Sequence, residues 1–157
     1  MTSLIENYLK GLHEGLFSSD AEKPEIKQIR ETKKYIWLYH SSPPKNYKDI
    51  KENGLDPNHQ GETHGSPMEH PSGKKALSYS SSKIYSMFWS GSLNDSEPLL
   101  VKVPTDELFF GTRVAKKDWD EYQSPKIIRA KDVVFPDSLR YKKIESESSY
   151  LNITAKL

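Results

Sequence analysis

The stretch that decides the fold is YIWLYHSS at residues 35–42. Its first five residues are aromatic or β-branched except for Leu38, and that composition is typical of a buried strand. His40 follows at the strand exit, and the small hydroxyl residues Ser41 and Ser42 come next. A histidine at the end of a buried strand, followed by small residues, is placed to contact a ligand. We therefore take His40 as the first candidate functional residue.

The segments that follow this strand predict an α+β fold whose later strands are antiparallel. A short helix is expected to end at Gly54, because glycine is the usual C-terminal stop. A second short strand is predicted at 76–79, and the serines at 80–82 are placed to cap a helix. Further strands are predicted at 98–103, 108–110, 113–115, 133–135 and 140–144.

The length and the composition of the chain limit the possible architectures. The 157 residues predict one domain, at 35–145, with an N-terminal helical extension at 1–34 and a C-terminal tail at 146–157. The segment 21–34 is read as a helix or a linker. The net charge of +1 gives the whole chain no strong basic footprint for nucleic acid.

The absence of cysteine excludes a disulfide framework, a cysteine-ligated zinc site and a thiol nucleophile. No apolar run is long enough for a signal peptide or a transmembrane span. Cytoplasmic location and export without a cleavable signal peptide both stay open. We expect a monomer.

Three common kinds of site are disfavoured by spacing. His59, His64 and His70 lie in a long polar loop without the i, i+4 spacing that presents two metal ligands on one helix face, so no metal site is predicted. The clustered serines Ser78, Ser80, Ser81 and Ser82 lack the Gly-x-Ser-x-Gly elbow of a hydrolase. No glycine-rich phosphate loop is present.

Five short motifs, taken in order, resemble the ADP-ribosyltransferase fold. They are LYHSS at 38–42, IKENGLDP at 50–57, ALSYSS at 76–81, LLVKVP at 99–104 and DEYQSPKII at 120–128. The branch they resemble carries a His-Tyr-Glu triad and includes diphtheria-type toxins and the poly(ADP-ribose) polymerases. The resemblance covers roughly residues 40–134 and implies a split β-sandwich with short helices.

The resemblance also implies a role in binding NAD for each matching residue. His40 would hydrogen-bond the adenosine ribose, and Ser41 would lie beside the nicotinamide or its ribose. Tyr79 would stack on the nicotinamide ring, with Tyr85 as a second aromatic wall. Glu121 would bond the nicotinamide ribose and stabilise the positive charge that develops as the glycosidic bond breaks.

Two departures from the family pattern leave the acceptor unspecified. Ser41 and Ser42 stand where many relatives have glycine and threonine. Trp119 stands where arginine-modifying members carry a second glutamate. The expected function is therefore transfer of ADP-ribose from NAD to a protein or nucleic-acid acceptor, in the setting of a bacterial effector or toxin.

Three alternatives stay open on the same fold. The first is an NAD glycohydrolase, which uses water as the acceptor. The second is a relative of the RNA 2′-phosphotransferases, which would need arginines around the site, and only Arg113 and Arg129 are candidates. The third is a non-catalytic domain that binds a nucleotide or a protein. Glu107 is a rival carboxylate to Glu121, although its context is that of a turn or a helix start.

Overall fold

A computed structural model of the chain describes residues 24–58, 70–89, 97–111, 121–148 and 150–151. These residues form an α+β arrangement of short helices and small antiparallel sheets. The helices are α1 (Pro24–Thr32), α2 (Tyr47–Asn53), α3 (Lys83–Trp89) and α4 (Leu139–Glu147), with 3₁₀ turns at Pro44–Asn46 and Ala130–Asp132. The strands are β1 (Tyr35–His40), β2 (Leu77–Tyr79), β3 (Leu99–Pro104), β4 (Phe109–Gly111), β5 (Glu121–Ser124) and β6 (Val133–Val134).

The first sheet has the strand order β1-β3-β6, and both pairings are antiparallel. The register along β1 runs from Tyr35 opposite Pro104 to His40 opposite Leu99. The sequence prediction of antiparallel later strands is confirmed. The predicted histidine at the strand exit is the last residue of β1.

The second sheet has the order β2-β5-β4, again antiparallel throughout. A backbone pair joins it to the first sheet: Tyr39 N–H donates to the Ser80 carbonyl at 2.7 Å, and Ser80 N–H donates to the Tyr39 carbonyl at 3.0 Å. The exits of β1 and β2 therefore lie side by side. This junction positions the candidate site.

Side-chain alternation along β1 divides its residues between two apolar clusters. Ile36 and Leu38 belong to the main core, whereas Tyr39 belongs to a second cluster on the opposite face. Tyr141 of α4 packs in that second cluster. The first sheet is thus covered on both faces near its His40 end.

Gly54 ends α2 as the sequence predicts, and the structure shows why no other residue fits. Its φ is +74°, and a Cβ atom there would lie 2.0 Å from the Ile128 carbonyl oxygen. The next residue, Leu55, exchanges two backbone hydrogen bonds with Ile128, of 2.9 and 2.8 Å. A side chain at Gly54 would therefore push these two segments apart.

The strand predicted at 140–144 is wrong, because these residues lie within α4. Ser138 caps the helix by accepting a hydrogen bond from Tyr141 N–H. Tyr141 and Ile144, three residues apart, both pack on the second cluster, which is helical spacing. The strand predicted at 133–135 is shorter, and the one at 113–115 lies outside the described residues.

The segment read as a helix or a linker at 21–34 contains α1. Ile29 packs against the main core, and the Arg30 guanidinium donates to the Leu108 carbonyl. Thr105 Oγ1 donates to the Lys33 carbonyl just after the helix. The part of the N-terminal extension within the described residues therefore packs on the domain. Among the helices that the structure describes, none has the length and apolar character needed to cross a membrane.

Candidate active site

His40 is buried at the junction of the two sheets, with 8% of its surface exposed. Its Nδ1 lies 2.9 Å from the Ser78 carbonyl oxygen. A carbonyl can only accept, so Nδ1 carries the proton and Nε2 keeps a lone pair. Burial lowers the pKa of His40, which favours this neutral form. Nε2 can therefore accept a hydrogen bond from a ligand hydroxyl.

Tyr79 packs directly against His40. The two ring centroids are 5.3 Å apart, with the planes tilted by 47°. The Tyr79 side chain belongs to the main core and is 2% exposed, and burial raises the pKa of its hydroxyl. Within the described part of the chain, that hydroxyl has no hydrogen-bond partner.

Tyr85, the second predicted aromatic wall, is also buried, at 3% exposure on α3. Stacking of Tyr79 or Tyr85 on a nicotinamide ring stays a prediction. Because both rings are buried, such stacking requires the ligand to displace the protein atoms that cover them.

Ser41 fastens the exit of β1 to helix α3. Its hydroxyl donates to the Ser86 carbonyl and lies 2.9 Å from the Ser86 hydroxyl. The side chain is thus committed to the neighbouring helix, and its backbone is the part best able to meet a ligand. The predicted ligand contact of Ser41 stays a prediction.

Glu121 is the first residue of β5, the central strand of the second sheet. Its side chain is 2% exposed, and Oε1 accepts a hydrogen bond of 2.8 Å from the Ser78 hydroxyl. Burying a carboxylate is costly unless polar groups compensate it. Most carboxylates are exposed at the protein surface, so a buried one such as Glu121 is typical of a functional site.

Sequence reasoning considered Ser78 only as one of several candidate serine nucleophiles and missed its role in positioning the site. Its carbonyl bonds His40, and its hydroxyl bonds Glu121. The signal was available in the alternation of β2: Leu77 and Tyr79 face the core, so Ser78 between them faces the other side of the strand. That side is the one on which Glu121 lies.

The three predicted triad residues are not on one face of the second sheet. Tyr79 pairs with Tyr122 in the β2–β5 register, and both pack in the main core. Glu121 precedes Tyr122 and so points to the opposite face. The structure brings His40 together with Tyr79, and links His40 to Glu121 through Ser78.

The other candidate residues have structural roles where they are described. His70 Nε2 lies 2.7 Å from the Glu107 carbonyl, and its Nδ1 lies 2.6 Å from the Ser72 hydroxyl. The Glu107 carboxylate forms ion pairs with Lys74 at 3.0 Å and with Lys126 at 3.2 Å. Glu107 is therefore a surface ion-pair partner and a weak rival to Glu121.

The remaining sequence candidates do not gather at the site. Arg129 is exposed and lies 3.9 Å from Asp132. His59, His64 and Arg113 lie outside the described residues. Within the described ranges, no group of three histidine or carboxylate side chains is arranged to hold a metal ion.

No protein-family model, curated protein or solved structure matches the chain. Any functional assignment therefore depends on the site geometry and on the motif resemblance.

Proposed function

We propose that this protein cleaves NAD at the nicotinamide–ribose bond and transfers the ADP-ribose to a macromolecular acceptor. The proposal includes the fold, an ADP-ribosyltransferase-like split β-sandwich. Two small antiparallel sheets that meet at the exits of β1 and β2 are compatible with that architecture. The proposal combines this arrangement with the order of the five sequence motifs.

The observation that carries the proposal is the double contact of Ser78. Its backbone orients the His40 ring at 2.9 Å, and its side chain holds the Glu121 carboxylate at 2.8 Å. A neutral histidine that presents an acceptor nitrogen suits a ribose hydroxyl. A buried carboxylate suits a developing cation. One residue thus fixes both groups relative to each other, which is the preorganisation that catalysis of bond cleavage needs.

The proposed reaction breaks the C–N bond between nicotinamide and its ribose. The bonding pair leaves with nicotinamide, which departs as a neutral molecule, and positive charge develops on the ribose ring. The Glu121 carboxylate stabilises that charge. The acceptor then supplies the electron pair for the new bond and releases its proton.

His40 and Ser78 have supporting parts in this proposal. The lone pair on His40 Nε2 accepts from a hydroxyl of the adenosine ribose and so orients the dinucleotide. Ser78 acts as a positioning residue, because its hydroxyl restricts the rotamer of Glu121. Tyr79 supports the His40 ring by direct packing.

The test uses NAD labelled on the adenine side, incubated with the purified protein in the presence and absence of cell lysate. The proposal predicts that nicotinamide release is accelerated by lysate and that label appears on a macromolecule. Release that proceeds equally well without lysate, with no labelled product, would identify a glycohydrolase instead. No release under either condition would refute cleavage altogether.

A further inference from the structure

Aromatic and basic residues share one face of the first sheet, at the end farthest from His40. Tyr35 and Trp37 of β1 alternate onto this face, and Lys102 of β3 lies opposite Trp37. The group is completed by Arg140 of α4 and by the exposed Lys131, whose backbone carbonyl accepts a hydrogen bond from Arg140. We call these five residues the aromatic–basic face.

Contacts link neighbouring members of this group. The Lys102 ammonium lies 4.8 Å from the centroid of the Tyr35 ring. The Arg140 guanidinium lies 5.5 Å from the Trp37 ring and donates a hydrogen bond of 3.2 Å to the Lys131 carbonyl. Each cation is attached through a long flexible side chain. It can therefore move from a ring to an incoming anion.

The cations of this face, like several lysines elsewhere in the described residues, have no ion-pair partner there. Among the described residues, Lys102, Lys131 and Arg140 have no carboxylate within ion-pair distance. Ion pairs within the described residues include those of Lys74, Lys83, Lys126 and Arg129. Because no described carboxylate is within ion-pair distance of these three cations, they are available to an anionic partner.

The aromatic side chains on this face of the sheet are buried at one end and more exposed at the other. At the His40 end, α4 covers the face, and Tyr39 and Tyr141 are fully buried. At the far end Tyr35 is 47% exposed, and Trp37 is only partly buried. Trp37 packs on one side against the second cluster. Partly exposed aromatic rings on a sheet face, flanked by cations without ion-pair partners, match the requirements of stacked bases and their phosphates.

We propose that the aromatic–basic face binds single-stranded nucleic acid. Bases stack on Tyr35 and Trp37, and phosphates are bound by Lys102, Lys131 and Arg140. A single strand is favoured over a duplex because only unpaired bases can stack on a flat aromatic surface. It is favoured over an acidic peptide because carboxylates need the cations but gain little from the two rings. The binding does not depend on the proposed NAD chemistry.

The test is fluorescence anisotropy of labelled single-stranded DNA and RNA oligonucleotides with the full chain, in the absence of NAD. We expect binding that weakens with salt, with a slope in log–log form of about −0.7 per phosphate contact. The double substitution of Lys102→Gln and Arg140→Gln should weaken binding at least about tenfold and reduce that slope. Both side chains contact rings at the surface, so circular dichroism of the variant should match the wild type.

Lys75→Gln is the matched control, because Lys75 is an exposed lysine just before β2 of the other sheet. It should retain wild-type affinity. The proposal is overturned if the wild type does not bind at low salt, or if the double variant binds as tightly as Lys75→Gln. It is also overturned if an acidic polypeptide competes as well as the oligonucleotide. Loss of NAD cleavage in a Glu121 variant should leave this binding unchanged, so the two proposals fail separately.

Discussion

The hydroxyl of Ser78 donates a hydrogen bond of 2.8 Å to Oε1 of Glu121 across the β2–β5 pair. The same residue accepts from His40 through its carbonyl oxygen. Two side chains far apart in sequence are therefore held in place by one short strand.

Removing the Ser78 hydroxyl should lower catalytic activity more than it lowers stability. We expect Ser78→Ala to lower the rate of nicotinamide release about 10- to 100-fold, because a hydrogen bond to a charged group contributes about 1.5–3 kcal/mol. The measurement is the steady-state rate with saturating NAD. Ser78→Thr keeps the hydroxyl on a strand position and should retain most of the activity. Equal losses in both variants would contradict the role of this hydrogen bond.

The burial of His40 predicts a dependence of stability on pH. Its pKa in the folded state lies below the ordinary 6.5, so below about pH 6.5 the unfolded chain binds more protons than the folded one. This contribution to stability is fully present above about pH 6.5 and is lost as the pH falls toward the folded pKa. The loss from one such group is at most about 1.4 kcal/mol per pH unit.

Urea denaturation between about pH 8 and pH 5 measures this effect. His40→Gln removes the titrating group and should flatten the pH dependence relative to the wild type. If the two proteins lose stability in parallel over this range, the pKa of His40 is not lowered by folding.

The Tyr39 hydroxyl donates to the Glu145 carboxylate, which also lies 3.2 Å from the Lys83 ammonium. This contact ties helix α4 to the strand that ends at His40. We expect Tyr39→Phe to lower the free energy of unfolding by about 1.5–3 kcal/mol. A double-mutant cycle with Glu145→Gln should give a coupling energy of about 0.5–3 kcal/mol. Additive effects of the two substitutions would show that the contact contributes nothing.

Two glycines with positive φ provide a matched pair for the backbone. Gly54→Ala places a Cβ atom against the Ile128 carbonyl, whereas a Cβ at Gly73 meets nothing within 4 Å. Both substitutions place a side chain at a positive φ, and Gly54 also has a ψ of −155°, in a region that is essentially restricted to glycine and costs about 1–3 kcal/mol for other residues. Gly54→Ala should cost clearly more than Gly73→Ala in chemical denaturation, because two backbone segments must separate. Equal costs would mean that Leu55 and Ile128 are not held together as described.

The strong local patterns were enough to predict much of the fold from sequence. The aromatic and β-branched run of β1, the apolar run of β3 and the stop at Gly54 are confirmed. The strand β5, with the sequence EYQS, was not recognised. All four of its residues are buried, but three of them are polar, and a polar sequence gives no sign of a buried strand. At 140–144, tertiary packing of Tyr141 selected a helix where a strand was predicted.

The site was predictable only in part, for a related reason. The position of His40 at a strand exit followed from composition. Which face each residue of β2 occupies depended on the register with β5, and that register brings Ser78 rather than Tyr79 to Glu121. Motif resemblance gave the residue types, but not the pairing that decides which side chains meet.

The most direct test of the proposed function is nicotinamide release from NAD by the Glu121→Gln variant. Glu107→Gln is the matched control, since Glu107 is a rival carboxylate paired with lysines at the surface. We predict that Glu121→Gln lowers the release rate by about 100-fold or more while Glu107→Gln stays within about twofold of the wild type. A Glu121→Gln protein that releases nicotinamide at the wild-type rate would contradict the account.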